Sequence, residues 1–329
     1  MKENITVKRY EALDCERWNA YVKKAKNGLF LFDRNYMDYH QDRYIDHSLL
    51  FLKDDGTIIA LMPANENKGV LASHGGLTYG GLILDEKAKQ HTVNECFEIM
   101  RGYLEQQQIE KILYKTIPHI YHRQPAEEDR YALYYNGAEL IEAYTSTVIN
   151  LKHPLKMTKG RKAQINRAKR EGVVISRLED KQCYDVFIGL ENEVLESRHN
   201  TRAVHTPDEL FLLHTRFPEK IHLYGALLRD SMIAGAVVYE YDQAVHTQYL
   251  AANEIARTIG ALDLTIATIM DEYKETKQWF DFGNSTENGG KYLNEGLIAQ
   301  KEGFGGRTNV YETWEMKILK NKSIGEVWK

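Results

Sequence analysis

IHLYGALLRDSMIAGAVVYEYDQAVHTQYLAANEIARTIGALDLTIATIMDEYKETKQWFDFG, residues Ile221–Gly283, is the stretch on which the fold turns. It opens with two apolar runs of strand length around Arg229, Asp230 and Ser231, the pattern of a β-hairpin. A third strand candidate, AVHTQYLAA, follows. Then comes GALDLTIATIMDEYKETK, long enough for a helix, and the strand QWFDFG. A helix between two strands lets them lie parallel, so this order predicts a mixed α/β sheet.

The same order occurs earlier in the chain. HSLLFLKDDGTIIALMPANE (His47–Glu66) reads as a hairpin around Asp54, Asp55 and Gly56, and VLASHGGLTYGGLIL as a glycine-bearing strand. KAKQHTVNECFEIMRGYLEQQQ places Val93, Phe97, Met100 and Leu104 at helical spacing. IEKILYKTI closes this half as a strand. Two such halves, about 175 residues apart, point to an internal duplication, with one larger sheet as the alternative. The expected domains are 1–150 and 151–329. The join falls where the strand TSTVINL ends at His153–Pro154 and a basic helix runs on to Gly172, a natural residue after a helix end.

Composition narrows the class. The 329 residues are 43% hydrophobic and 27% charged, with net charge −4, as in ordinary globular proteins. That balance argues against a dedicated nucleic-acid binder, and no DNA partner is expected. The start, MKENITVKRYEALD, lacks the apolar core of a signal peptide, and no run approaches the ~20 residues that span a bilayer. Cys15, Cys96 and Cys183 are scattered and odd in number, which fits a reducing compartment; a cytoplasmic protein is expected. His119 and His122 have no third ligand at useful spacing, so no metal is expected.

KMTKGRKAQINRAKREG carries seven cations before its first acid, Glu171. Arg161, Arg167 and Arg170 either meet phosphates of a ligand or form a solvated face with acidic neighbours. FDFGNSTENGGKYLNEGLIAQKEGFGG (Phe280–Gly306) holds seven glycines. It is either a long surface loop or main chain built to approach a ligand closely.

Two of these segments resemble a known family. RKAQINRAKREGVVI is similar to a helix of the FemABX-type peptidoglycan aminoacyltransferases. The segment from Asp281 through the glycines to Lys301, Gly303, Phe304, Gly305 and Gly306 resembles their C-terminal segment, with Gln300 where the family usually has Phe. The resemblance extends to the BioF2/FemAB-type proteins and implies two GNAT-like (N-acyltransferase) domains in tandem. It implies transfer of an acyl or aminoacyl group to an amine of a small metabolite or cell-envelope precursor. The alternative is a non-catalytic binding protein of the same fold for a nucleotide-sugar or an RNA end. Arg257, Gly260 and Ala261 match the acyl-CoA motif in part, and Leu262 departs from it. Acyl-CoA and aminoacyl-tRNA, with its acceptor end as partner, both stay open as donors.

The expected site follows. Lys301, with Gly303 and Phe304, belongs on the donor side by resemblance. Gly260 and Ala261 would open a helix toward pyrophosphate. Asp281 ends a strand where open α/β sheets place ligand contacts. Asn284, Ser285, Thr286 and Asn288 offer hydrogen bonds, either to substrates or within turns. His246 is the candidate base or acid, and Tyr249 orients a substrate. Tyr36, His40, Ser73, His74 and Tyr79 are acceptor-side candidates. Arg198 is expected in a loop between helices, ahead of a capping box opened by Thr206. Oligomeric state is not legible.

Overall fold

The structure is a computed structural model that describes residues 4–199 and 201–318, with the side chains at 197–199 outside that description. It forms two compact units. Of the described residues, one takes in 4–144, 288–291 and 310–318, the other 145–199, 201–287 and 292–309.

In the first unit, β1 (Leu49–Lys53) and β2 (Ile58–Met62) form the expected hairpin. β3 (Val70–Ala72) is shorter than the sequence predicts. Residues 73–82 leave the strand through His74, whose φ is +54°, and pairing resumes only at Ile83–Leu84. Two Gly-Gly pairs and a residue in the left-handed region are incompatible with a continuous ladder. α1 (Gln90–Gln106) buries Val93, Cys96, Phe97, Met100 and Leu104 on one face. β4 (Lys111–Lys115) then lies parallel to β3 over three positions, from Val70–Lys111 to Ala72–Leu113. The apolar face of α1 and the strands share one core with Phe51, Met62, Leu71 and Ile112. Each fully buried side chain of this kind contributes roughly 1.5–3 kcal/mol.

The second unit repeats the order with longer strands. After β5 (Glu139–Asn150), which belongs to this unit from Thr145 on, the basic helix α2 (Lys159–Arg170) starts at Thr158, whose side chain accepts from the Arg161 N–H. α3 (Lys181–His199) takes in Arg198, which was expected in a loop, so the connection to α4 (Pro207–Arg216) is shorter than predicted. Thr206 and Glu209 do form a capping box. The hairpin β6 (Ile221–Leu228) and β7 (Ser231–Glu240) leads to β8 (Ala244–Ala252), then to α5 (Ala261–Tyr273) and β9 (Trp279–Asn284). α6 (Glu295–Glu302) follows. β8 and β9 are parallel, again over three positions, whereas β6–β7, β7–β8 and β9–β5 are antiparallel. The core here gathers Ile149, Ile165, Val238, Val245, Ile266, Phe280 and Phe304. Both halves therefore carry a parallel pair that opens after three registers, a likeness that residue identity alone does not reveal. The fold is mixed α/β of tandem GNAT-like build. Among the described residues no helix is long and apolar enough to cross a membrane.

Candidate active site

The opening of the β8–β9 pair defines the site. Strand pairing stops at His246–Asp281, although β8 continues to Ala252 and β9 to Asn284. Asp281 is not at the strand end, as expected, but inside it, and it is fully buried. Its carboxylate accepts from the Gly283 N–H at 2.9 Å and from the Ser146 hydroxyl, and meets His246 Nδ1 at 2.9 Å. An ionised carboxylate only accepts, so Nδ1 of His246 carries the proton and, in the neutral ring, Nε2 is the basic nitrogen. Ser146 comes from β5, which runs along the other edge of β9. The register of β9 on β5 shifts between Asp281 and Asn284, and this irregularity lets the Gly283 N–H turn back to the carboxylate.

Lys301 stands above the end of the same strand. It lies in the last turn of α6, is buried, and donates to the carbonyls of Gly283 at 2.9 Å and Asn284 at 2.6 Å. Burial lowers its pKa to about 8, opposed by the Asp281 charge. An ammonium has three N–H donors, so one remains after these two bonds. Ser285 is buried with its N–H on the Thr145 carbonyl, and Thr286 bonds Asn284 Oδ1 at 2.5 Å. Asn284 itself is exposed. Gly303 receives the Thr158 N–H on its carbonyl, and Phe304 packs in the core against Phe282. Asn288 sits in an exposed turn at φ +52°.

The α5 N-terminus carries a charge of its own. Asp263, in its first turn, is largely buried and ion-paired with Arg161. Its carboxyl is pushed upward by burial, opposed by Arg161. Gly260, at φ +80°, ends the short helix Glu254–Ile259 and precedes α5. A Cβ there would lie 2.6 Å from the Gln164 carbonyl oxygen, so this glycine lets α2 approach closely. Ala261 is buried, and Arg257 is exposed. Arg167 and Arg170 are exposed in the last turn of α2, where cations complement the helix dipole.

Tyr249 shares a face of β8 with His246. The two pair with Val237 and Tyr239, which are two residues apart on β7, and an irregularity at Gln248 restores this phase. The Tyr249 hydroxyl meets His205 Nδ1 at 2.6 Å. Glu191, on α3, acts electrostatically on that phenol and is itself buried, with Oε2 lacking a hydrogen-bond partner. Burial raises its pKa to about 7. Arg198 lies outside the residues whose side chains are described.

In the first unit, His40 and His74 are brought together, with ring centroids 5.4 Å apart, at one cavity of about 350 Å³. Tyr36 packs beside them against Tyr39. Ser73 is fully buried and takes the Lys115 N–H on its hydroxyl. Tyr79 is buried against Tyr121 and Tyr311, with its hydroxyl 2.6 Å from that of Tyr121. Ser146, Asp263 and Glu191 escaped the sequence reading. Asp263 alone stands between apolar neighbours, Leu262 and Leu264, whereas Ser146 and Glu191 have polar ones.

Comparison with known proteins bears on the fold. Residues 156–291 match the acetyltransferase (GNAT) domain family. FemX superposes with a TM-score of 0.64 at 11% identity, covering 93% of this chain and 96% of FemX. L-PGS from Bacillus licheniformis gives 0.61 at 14%, covering 95% and 94%. A tandem GNAT protein from the clavulanic acid biosynthesis pathway gives 0.56 at 9%, covering 97% and 100%. No match was found among curated proteins. Residues 156–291 thus match the acetyltransferase (GNAT) domain family, within a chain whose fold is similar to that of FemX and of a tandem GNAT protein.

Proposed function

We propose that this protein is an N-acyltransferase that moves an acyl or aminoacyl group to an amine of a small metabolite or cell-envelope precursor. The observation that carries this reading is the His246–Asp281 pair at the opening between β8 and β9. In amide formation the amine nitrogen attacks the carbonyl carbon of a thioester or ester. The oxygen turns negative, the nitrogen loses a proton, and a thiol or hydroxyl departs. His246 Nε2 receives the amine proton. Asp281 keeps the other ring nitrogen protonated and stabilises the imidazolium that forms. The remaining N–H of Lys301 serves the carbonyl oxygen or the leaving group.

The donor is an acyl-CoA, as the GNAT match suggests, or an aminoacyl-tRNA. One observation favours the second: the Asp263 carboxylate, paired with Arg161, occupies the first turn of α5, where a pyrophosphate would otherwise bind. The test is to offer acetyl-CoA and a mixture of aminoacyl-tRNAs separately, each with and without a panel of primary amines. Thiol release or deacylation that requires the amine supports the reading. Binding of either donor without amine-dependent turnover contradicts it and favours a binding protein.

A further inference from the structure

The outer face of α2 carries charge that the protein itself does not balance. Of the cations between Lys156 and Glu171, only Arg161 meets a carboxylate among the described residues, that of Asp263. Ile165 and Ala168 bury the inner face of the helix in the core it shares with α5. At about 100° per residue, the opposite face presents Lys159, Lys162, Arg167, Lys169 and Arg170. All five are exposed, as is Lys156 just ahead of them. Lys159 with Lys162, and Arg167 with Arg170, are like charges three residues apart, which work against a helix. Packing of the inner face and the Thr158 cap hold α2 in spite of them.

The residues that accompany these cations select among polyanions. Lysines outnumber arginines on the outer face, so it offers point charges more than the bidentate forks that read single phosphates. The exposed aliphatic side chains of Leu155 (49%) and Val174 (59%) stand before and after the helix. From Leu151 to Cys183 the chain has no Phe, Tyr or Trp, so no ring is offered on which a nucleobase could stack. Basic residues on an exposed helix face, with aliphatic residues at its ends, suit an anionic bilayer. The cations are drawn to the headgroups, and the aliphatic side chains enter the interface. The whole chain has net charge −4, so such a surface attracts this helix and not the protein at large.

The place of α2 gives this attraction a consequence. Its start is tied to the end of α6. The Thr158 N–H donates to the Gly303 carbonyl at 2.9 Å, and a Cβ on Gly303 would lie 3.2 Å from Arg161 Cγ. Lys301 lies in that last turn of α6. A bilayer that holds α2 thus lies close to the Lys301 end of the candidate site.

We propose that the outer face of α2 docks the protein on an anionic lipid bilayer, with Lys159, Lys162, Lys169 and Arg170 against headgroup phosphates and Leu155 at the interface. This goes beyond the proposed reaction and is tested without turnover.

The experiment is flotation of the whole protein with unilamellar vesicles of phosphatidylcholine, with and without phosphatidylglycerol. Binding is expected only where phosphatidylglycerol is present, and should be lost at high salt. The double variant Lys162→Gln, Lys169→Gln should bind at least about tenfold more weakly. Lys23→Gln, Lys24→Gln removes the same charge at exposed positions of the other unit and should bind as wild type does. Absence of binding, or equal binding to both kinds of vesicle, would overturn the proposal. So would an equal loss in the two double variants, which would reduce the effect to net charge. An RNA hairpin held by the same lysines, with no vesicle binding, would overturn it in favour of nucleic acid. Vesicle binding by a protein without amine-dependent turnover would sink only the reaction, and turnover without vesicle binding would sink this inference alone.

Discussion

His246 and Asp281 are register partners on two parallel strands, with His246 Nδ1 2.9 Å from an Asp281 carboxylate that is shut off from solvent. Strand pairing ends at this pair, and both side chains are buried. Asp281→Asn keeps the size but can present an amide N–H to Nδ1, which forces the proton to Nε2 and removes the basic nitrogen. We expect amine-dependent acyl transfer to fall by about 10²–10⁴-fold, the usual contribution of a positioned base. Steady-state rates with near-unchanged unfolding midpoints would check it.

Lys301 connects the site to stability. Its folded pKa, about 8, lies below the 10.5 of an unperturbed lysine. Between those values the unfolded chain binds more protons than the folded one, so stability should rise with pH from about 8 to 10.5. In Lys301→Met this rise should be absent. Urea unfolding of both proteins at pH 7.5, 9 and 10.5 reads the difference.

Glu191 behaves in the opposite sense. Its carboxyl titrates near 7 in the folded protein, against 4.5 for an unperturbed glutamate. Here the folded state binds more protons between those values, so stability should fall as pH rises from about 4.5 to 7. Glu191→Gln should lack that slope and be more stable than wild type above pH 7, by up to about 3 kcal/mol. Equal pH profiles for the two proteins would remove Glu191 from the account.

Gly260→Ala tests the packing of α2. Both the left-handed backbone and the 2.6 Å approach to the Gln164 carbonyl oppose a side chain there. A loss of about 2 kcal/mol or more is expected in chemical denaturation. Gly160→Ala, in the same basic helix and with open space around it, should stabilise by a few tenths to about 1 kcal/mol.

The elements of both halves were legible because hairpin turns, apolar runs and helical spacing are local signals. Residues 70–84 were misjudged because a left-handed His74 leaves no mark in hydrophobic pattern. Lys301, Asp281 and His246 were singled out separately. The meeting of His246 and Asp281 depends on parallel register, which no local signal encodes, and Lys301 reaches the end of the same strand from α6. The counter-charge of Arg161 was unforeseeable for the same reason, since Asp263 lies about a hundred residues away in sequence and reaches it only through the packing of α2 on α5. Gly303 and Phe304 are expected as ligand contacts by resemblance; Gly303 stands between the end of α6 and Arg161 of α2, and Phe304 is part of the core.

The most direct measurement compares wild type with His246→Gln in amine-dependent release of thiol from acetyl-CoA, or of tRNA from aminoacyl-tRNA, across pH 6–9. Turnover in wild type that drops at least about a hundredfold in the variant, with donor binding retained, is the expected result. Turnover that is equal in the two proteins, with the same pH dependence, would show that the imidazole takes no proton from the amine.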